Sequence, residues 1–299
     1  TLLDIRRQRQ MCIRDRDCSV VGAGNFSGLS VIANAQHQAA IRWLDIRFDD
    51  YVVRGCGSGV ESAVSFILDE DIPDPKIPDP LGRNSLFNVN NIGIFSEHDP
   101  LCNAIEIVRT EWYTNEYSDT SGPDPARDWK IYATDNLISA GSYEQAGIVM
   151  LGIMPSESIN PPSVFGNTIG AAKCGFSGNP VGIRFGSLTP DPVNQVDGVV
   201  ENNVIGMTKS CDDTGIQVVG DPGGEQTTVK VNKNTINGAY LGVKADCNVV
   251  EVSFSGNDLS GDNWPTGIFS EAQFTNIKGK PNKISGYVVE IDSDNTGCP

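Results

Sequence analysis

The sequence predicts an all-β fold, a right-handed parallel β-helix in a single elongated domain, from three observations. One short phrase recurs through the second half of the 299 residues. The segments around it are rich in Val, Ile, Thr and Phe, which parallel strands favour. Amphipathic helical periodicity over a dozen residues is hard to find anywhere in the chain. A repeat of this length indicates stacked units that cannot bury their apolar faces singly.

The recurring phrase has two parts. An apolar-alternating segment first reaches Asn-x-Ile or Asn-x-Leu, at Asn167, Asn203, Asn234, Asn257 and Asn282, so that successive asparagines are 36, 31, 23 and 25 residues apart. After a glycine turn, a Gly-Ile-type pair opens what we term a glycine-led strand, at Gly182, Gly215, Gly242, Gly267 and Gly286. Because the coils of such a solenoid stack at ~4.8 Å, each recurring Asn is expected to bond to its equivalents above and below.

The chain before this repeat is less regular. Residues 1–16 contain the run MCIRDR (11–16), which resembles the translation of a transposon-end adapter used in preparing sequencing libraries, and we interpret them as non-native. On that interpretation the true N-terminus is missing, and a signal peptide would have been lost with it. Residues 17–85 read as irregular strands and coils with a proline-rich loop at 72–80, since proline removes amide donors from a strand ladder. The β-helix is expected over 86–299, with its first clear repeat at Asn136.

Composition limits the partners. Asp plus Glu number 38 against 22 Lys plus Arg, a formal charge of −16, which argues against nucleic acid because phosphate binding needs clustered cations. No apolar run approaches the roughly 20 residues of a membrane span. None of the cysteines has C-x-x-C spacing. Cys174, Cys211 and Cys247 each lie near a glycine-led strand, so neighbouring coils could be bridged by some of them, although the sequence does not give the pairing. The cysteine content favours a secreted or cell-surface protein.

The phrases GVVENNVIG (198–206), TTVKVNKNTING (227–238) and VSFSGNDLSG (252–261) resemble the parallel β-helix repeats of the pectin-lyase-like superfamily. That resemblance extends from about residue 136 to 291 and more weakly from 86. It implies the fold, but the superfamily includes polysaccharide lyases, glycoside hydrolases, epimerases, tailspikes and non-catalytic surface proteins. Polygalacturonase-like motifs are missing, because Asp212-Asp213 stands alone and no Gly-His-Gly occurs. No catalytic residue is therefore carried over from the family.

Strand alternation sorts the glycine-led strands into inward and outward residues. One outward column holds Arg184, Gln217, Lys244, Phe269 and Val288, and a second holds Gly186, Val219, Asp246, Glu271 and Glu290. A face with an exposed aromatic ring flanked by charged groups suits a sugar ligand. We therefore take Arg184, Gln217 and Phe269 as candidate substrate-binding residues and Lys244, Asp246 and Glu271 as candidate catalytic residues.

Two chemistries fit these candidates. In a lyase, Lys244 or Arg184 would remove the proton beside a uronic carboxylate. In a hydrolase, Asp246 and Glu271 on adjacent coils would be ~5 Å apart, near the retaining separation, and Asp246 with Glu290 would approach the inverting one. The competing interpretation is that outward charges only keep a solenoid soluble.

The loops give a second indication. Residues 152–163, 187–197 and 220–226 all follow glycine-led strands, so they are expected to form a wall beside the two columns. Carboxylates in and near these loops make Ca²⁺ a candidate ligand, namely Asp197, Glu201, Asp212, Asp213 and Asp221. No other metal site is expected.

The sequence thus predicts an extracytoplasmic protein that binds or processes a polysaccharide or surface glycan, as a lyase or a glycoside hydrolase if it is an enzyme. The alternative is a non-catalytic adhesin or tailspike-like scaffold.

Overall fold

The computed structural model describes residues 18–21, 29–34, 39–47, 62–69, 86–95, 101–109, 130–151, 161–174, 179–186, 196–208, 211–220, 227–277 and 279–293. Within these ranges every regular element is a β-strand, and the strand pairings are all parallel. The predicted all-β parallel solenoid is therefore confirmed. Residues 1–16 and the proline-rich loop 72–80 lie outside the described residues. In the described part of the chain, no helix is long and apolar enough to cross a membrane.

The strands are β1 (Cys18–Val21), β2 (Leu29–Asn34), β3 (Ala39–Arg47), β4 (Ser62–Asp69), β5 (Leu86–Phe95), β6 (Leu101–Arg109), β7 (Lys130–Thr134), β8 (Leu137–Ile138), β9 (Tyr143–Leu151), β10 (Ser163–Phe165), β11 (Thr168–Ile169), β12 (Val181–Gly186), β13 (Val196–Glu201), β14 (Val204–Gly206), β15 (Thr214–Val219), β16 (Thr227–Asn232), β17 (Thr235–Asn237), β18 (Leu241–Ala245), β19 (Glu251–Ser255), β20 (Asp258–Ser270), β21 (Phe274–Asn276) and β22 (Lys283–Asp292).

These strands wind into three faces. The first face stacks β1, β3, β5, β7, β10, β13, β16, β19 and β21. The second stacks the short strands β8, β11, β14 and β17 between parts of β5, β20 and β22. The third stacks β2, β4, β6, β9, β12, β15 and β18 with the later parts of β20 and β22. The glycine-led strands lie on the third face.

The core lies between the three faces. Each face contributes a column of inward side chains that are at most 1 % exposed: Ala133, Val164, Val200, Val231 and Phe254 from the first; Ile138, Ile169, Ile205, Ile236 and Leu259 from the second; Ile148, Ile183, Ile216, Val243 and Ile268 from the third. Burying one large aliphatic side chain contributes about 1.5–3 kcal/mol. The stacked columns therefore supply much of the free energy that holds the coils together.

The recurring asparagines form a ladder at the bend between the first and second faces, as predicted. From Asn136 to Asn282, the backbone N–H and the Nδ2 of each Asn both donate to the Oδ1 of the next, over 2.8–3.1 Å. The ladder begins where the N–H of Ile92 donates to Asn136 Oδ1 at 3.0 Å. The members from Asn136 to Asn257 are at most 1 % exposed. Side chains thus satisfy buried amides at a corner between two strands.

A left-handed residue precedes each of the five buried ladder asparagines: Asp135 (φ 55°), Gly166 (φ 70°), Asn202 (φ 57°), Lys233 (φ 52°) and Gly256 (φ 66°). Gly, Asn and Asp adopt this conformation readily, whereas other residues are destabilised in it by about 1–2 kcal/mol. Lys233 is the exception to that preference.

The glycines that open the glycine-led strands permit close stacking of the coils. A Cβ on Gly182 would lie 2.5 Å from the carbonyl oxygen of Gly215, and a Cβ on Gly215 would lie 2.5 Å from that of Gly242. The recurring glycine is therefore required by the approach of backbone to backbone.

The last coil is four residues out of the predicted register. Tyr287 was predicted beside Ile268, but it pairs with Trp264, and Ile291 takes the predicted place. The predicted positions of Val288 and Glu290 in the outward columns are therefore wrong, and Val289 between them is 41 % exposed. The reason is the bend at Gly286 (φ 69°), which lies against Gly261 at the bend of β20 and not against Gly267.

Candidate functional site

The first outward column of the third face is formed as predicted over four coils. Arg184 pairs with Gln217, Gln217 with Lys244, and Lys244 with Phe269. On the next coil the partner of Phe269 is Asp292. Parallel pairing keeps these side chains on one side of the sheet, about 4.8 Å apart from coil to coil.

The second outward column lies beside the first. Gly186 pairs with Val219. The amide of Asp246 donates to the Val218 carbonyl, and that of Glu271 donates to the Ala245 carbonyl, each at 2.9 Å. Asp246 and Glu271 are therefore on adjacent coils, as predicted. Glu290 lies opposite Gly267, so the predicted pairing of Asp246 with Glu290 two coils away is wrong.

A cavity of about 560 Å³ opens over these columns. It is lined by Leu151, Arg184, Gln217, Val219, Gly220, Lys244, Asp246, Cys247, Asn248 and Glu271. The cavity thus brings together five of the six candidate residues. Phe269 is in the column but not in the lining, so the aromatic platform predicted for the sugar is not part of this cavity.

A hydrogen-bonded chain of side chains crosses the cavity over three coils. Arg184 Nε donates to Gln217 Oε1 at 3.2 Å, and Gln217 Nε2 donates to Asp246 Oδ2 at 3.0 Å. The other carboxylate oxygen of Asp246 lies 2.8 Å from Lys244 Nζ. Asp246 therefore has a partner at each of its oxygens, and its charge is balanced within its own coil.

Arg184 is the part of this chain with unused donors. Its terminal guanidinium nitrogens have no hydrogen-bond partner among the described residues, since its one hydrogen bond uses Nε. Burial lowers the pKa of the guanidinium, and the carboxylate of Asp246 opposes that shift. A partly desolvated guanidinium with two free terminal nitrogens matches the planar, two-oxygen geometry of a carboxylate or phosphate.

Three strands of the third face end beside the cavity. Strands β9, β12 and β15 end side by side, with Leu151 and Val219 both paired to Gly186. The chain therefore leaves the third face at the same edge in three successive coils. The predicted wall, residues 152–163, 187–197 and 220–226, lies mostly outside the described part of the chain.

Two of the carboxylates proposed for Ca²⁺, Asp213 and Glu201, are engaged by other groups of the protein. Asp213 is fully buried and accepts from the amides of Thr208 at 3.1 Å and Tyr240 at 2.9 Å. Burial raises the pKa of Asp213 to about 6. Glu201 pairs with Lys233 at 2.6 Å. Among the described residues, no three metal-ligating side chains cluster.

A disulfide joins neighbouring coils at two of the three cysteines that lie near glycine-led strands. Cys174 is bonded to Cys211, and Cys102 and Cys247 are also disulfide-bonded. Cys247 lies in the cavity lining, in the turn whose hydrogen bond runs from Val249 N to Asp246 O at 3.1 Å. This turn and Gly220 were missed by reasoning on outward columns, because turn residues belong to no column.

No family model, curated protein or solved structure matches this chain.

Proposed function

We propose that the protein binds an acidic polysaccharide or surface glycan in the cavity of the third face, with Arg184 holding a carboxylate of the sugar. The observation that carries this proposal is the guanidinium of Arg184, whose Nε is fixed by Gln217 while its terminal nitrogens have no partner in the described part of the chain. A cavity of about 560 Å³ is within the range of small-ligand sites. The repeat pattern, which resembles the pectin-lyase-like superfamily, also supports a sugar polymer as the ligand.

The positions of the other polar groups suit binding along the solenoid axis. Gln217, Lys244 and Glu271 follow Arg184 on three successive coils, so a chain of sugars lying across the coils would meet a polar group at every step. Because Lys244 and Asp246 neutralise one another, the cation left for an anionic ligand is Arg184.

If the site is catalytic, lyase chemistry fits better than hydrolysis. A retaining hydrolase needs one carboxylate free to attack the sugar as the nucleophile, whereas both oxygens of Asp246 are already engaged, by Lys244 and Gln217. A lyase needs a neutralised uronic carboxylate beside its base, and the guanidinium of Arg184 supplies the positive charge that neutralises a carboxylate. A non-catalytic adhesin remains the second candidate, because the ion pair of Lys244 with Asp246 leaves little reactive charge in the cavity.

The disulfides support a location outside the cytoplasm. Disulfide bonds form and persist in oxidising compartments, and four described cysteines are bonded: Cys102, Cys174, Cys211 and Cys247. We therefore place the protein in the extracellular space or on a cell surface.

The test compares retention on uronic-acid and neutral polysaccharides in affinity electrophoresis. Arg184→Gln should weaken binding of the acidic polymers by about 10–100-fold, since charge-assisted hydrogen bonds contribute about 1.5–3 kcal/mol. Lys230→Gln removes the same charge from an exposed site on the first face and should leave binding unchanged. Equal losses in both variants, or no retention on any acidic polymer, would refute the assignment.

Product analysis separates binding from catalysis. Unsaturated products formed by the wild type and lost in Arg184→Lys would establish a lyase, because lysine keeps the charge but not the guanidinium geometry. New reducing ends without unsaturation, lost in Glu271→Gln, would establish a hydrolase instead. Retention with neither product would establish a binding protein.

A further inference from the structure

One end of the cavity is apolar. Leu151 and Val219, which both line it, belong to the second outward column and pair with Gly186 from the coils on either side. Leu151 is 6 % exposed and packs with Val149 and Val181, and the partly buried Val219 packs against the same cluster. Because Gly186 has no side chain, nothing polar separates Leu151 from Val219. The column becomes charged only on the later coils.

This apolar end adjoins the guanidinium of Arg184. Arg184 and Gly186 are two residues apart on β12, so their side-chain directions are on the same side of the strand. The strand partners of Gly186, which are Leu151 and Val219, are therefore diagonal neighbours of Arg184, at about 8 Å between Cα atoms for ideal strand geometry. A sugar whose carboxylate is held by Arg184 can thus place a neighbouring substituent on the apolar end.

The apolar end suits a methyl group better than a sugar ring. None of the described lining residues is aromatic, so they offer no flat platform for the C–H face of a pyranose. Leu151 and Val219 are branched aliphatic residues, and sugar hydroxyls buried against them would lose their hydrogen bonds to water, which is costly. The methyl of an acyl substituent avoids that cost and gains from burial.

An amide without a partner lies beside the apolar end. Asn248 lines the cavity, and its side-chain amide makes no hydrogen bond to any described residue. Its backbone packs against Gly220, since a Cβ on Gly220 would lie 2.0 Å from the carbonyl carbon of Asn248. Asn248 is therefore a close neighbour of Val219, which precedes Gly220 in the chain. An acyl group with its methyl on Val219 can direct its carbonyl oxygen to this amide.

We propose that the ligand is an acidic sugar that carries an acyl substituent, either an acetyl ester or an N-acetyl group. Arg184 holds the carboxylate, Leu151 and Val219 contact the methyl group, and the Nδ2 of Asn248 donates to the acyl carbonyl oxygen. This inference rests on the proposed function, because it names the class of acidic sugar that the same cavity binds. Burial of one methyl group and one neutral hydrogen bond should tighten binding by about tenfold.

The test measures retention of the full chain on two matched pairs of polymers in affinity electrophoresis. Acetylated alginate is compared with the same preparation after mild alkaline removal of its acetyl esters, which leaves every carboxylate in place. Hyaluronan is compared with its N-formylated form, which keeps the amide and the charge but lacks the methyl group. A preference of about tenfold within the first pair identifies the ester as the ligand group, and one of about threefold or more within the second identifies the amide. Equal retention within both pairs would overturn the inference.

Matched variants locate the acyl group. Val219→Thr has nearly the same shape but replaces a methyl group by a hydroxyl, so it should reduce the preference for the acylated polymer by about threefold or more. Asn248→Leu removes the amide donor and should also reduce that preference. Val204→Thr makes the first change at a 45 % exposed valine of the second face and should keep the wild-type preference. Circular dichroism confirms that each variant is folded.

The outcomes separate this inference from the proposed function. Retention that is lost in Arg184→Gln but is the same with and without acyl groups would overturn this inference and leave the proposed function in place. No retention of the wild type on any of these polymers would refute the proposed function and this inference with it. Equal preferences in Val219→Thr and Val204→Thr would overturn the contact between the methyl group and Val219.

Discussion

Replacing Asn203 with Ala tests the asparagine ladder at its middle. Asn203 Oδ1 accepts from the backbone N–H and the Nδ2 of Asn167 at 3.0 and 2.9 Å. Its Nδ2 donates to the Val164 carbonyl and to Asn234 Oδ1, both at 2.9 Å. Asn203, which makes these hydrogen bonds, is fully buried. The substitution therefore removes an acceptor and a donor where water cannot replace them.

The magnitude follows from the groups left without partners. The buried amide of Asn167 loses its acceptor, which costs about 1–3 kcal/mol, and the lost side-chain bonds add about 1 kcal/mol each. We therefore expect Asn203→Ala to lower the free energy of unfolding by about 4 kcal/mol. Asn237→Ala, at an exposed position of the next coil, should stay within about 0.5 kcal/mol.

Urea denaturation measures both variants, and hydrogen exchange locates the effect, because a repeat protein can open locally. Amide protection in 161–170 should fall in Asn203→Ala and not in Asn237→Ala. Asn203→Asp, which has the same shape, should destabilise at least as much at pH 7, because its carboxylate would face the Val164 carbonyl in place of a donor. Equal stability of Asn203→Ala and Asn237→Ala would refute the ladder as a source of stability.

Three further predictions concern particular residues. Gly186 has φ 142° and no room for a Cβ, so Gly186→Ala should lower the melting temperature by an amount equivalent to at least about 2 kcal/mol. The control is Gly206→Ala, which should be nearly neutral because its Cβ would meet only one atom, at 3.9 Å. Lys233→Gly should change the free energy of unfolding in urea by less than about 1 kcal/mol. Glycine removes the backbone strain of the left-handed conformation, and this offsets the loss of the exposed ion pair with Glu201. Lys233→Val loses the ion pair but keeps the strain, so it should be less stable than Lys233→Gly. Burial raises the pKa of Asp213 from 3.8 to about 6, so its favourable contribution is complete below about pH 4 and falls by about 3 kcal/mol as the pH rises through 6 to 7. The stability difference between the wild type and Asp213→Asn should follow that fall, and a difference independent of pH would contradict it.

Much of the fold could be predicted because the solenoid repeats a small number of local requirements. Asn167 to Asn282 recur because each has the same buried amides to satisfy, and Gly182, Gly215 and Gly242 recur because their backbones touch. Each requirement selects one residue type at a fixed position of the repeat, so the repeat can be recognised in the sequence. The last coil was misplaced because Gly286 does not open a glycine-led strand; it forms a bend against Gly261. The sequence does not distinguish a glycine at a bend from a glycine at a close backbone contact.

The candidate site was predictable to the same extent. Alternation and parallel stacking were sufficient to bring Arg184, Gln217 and Lys244 into one column. The turn at Cys247 and Asn248 was not predictable, because its place in the cavity depends on the backbone path after the strand. Asp213 was predicted as a candidate Ca²⁺ ligand in or near a loop, but it is fully buried.

The hydrogen bond between Gln217 and Asp246 explains why the cavity has one dominant cation although it contains two. Gln217 belongs to the first column and Asp246 to the second, so their contact is diagonal and depends on the side-chain conformation of the glutamine. Asp246 is paired directly to Lys244 at 2.8 Å, whereas the uncharged amide of Gln217 lies between Asp246 and Arg184. The negative charge is therefore shared unequally between the two cations. Since the attraction between charges weakens with distance, Asp246 offsets the charge of Lys244 more fully than that of Arg184. Under the proposed function, the anion is therefore held at the coil that carries Arg184. Gln217→Glu, which would place a carboxylate against the Nε of Arg184, should abolish anion binding without removing either cation.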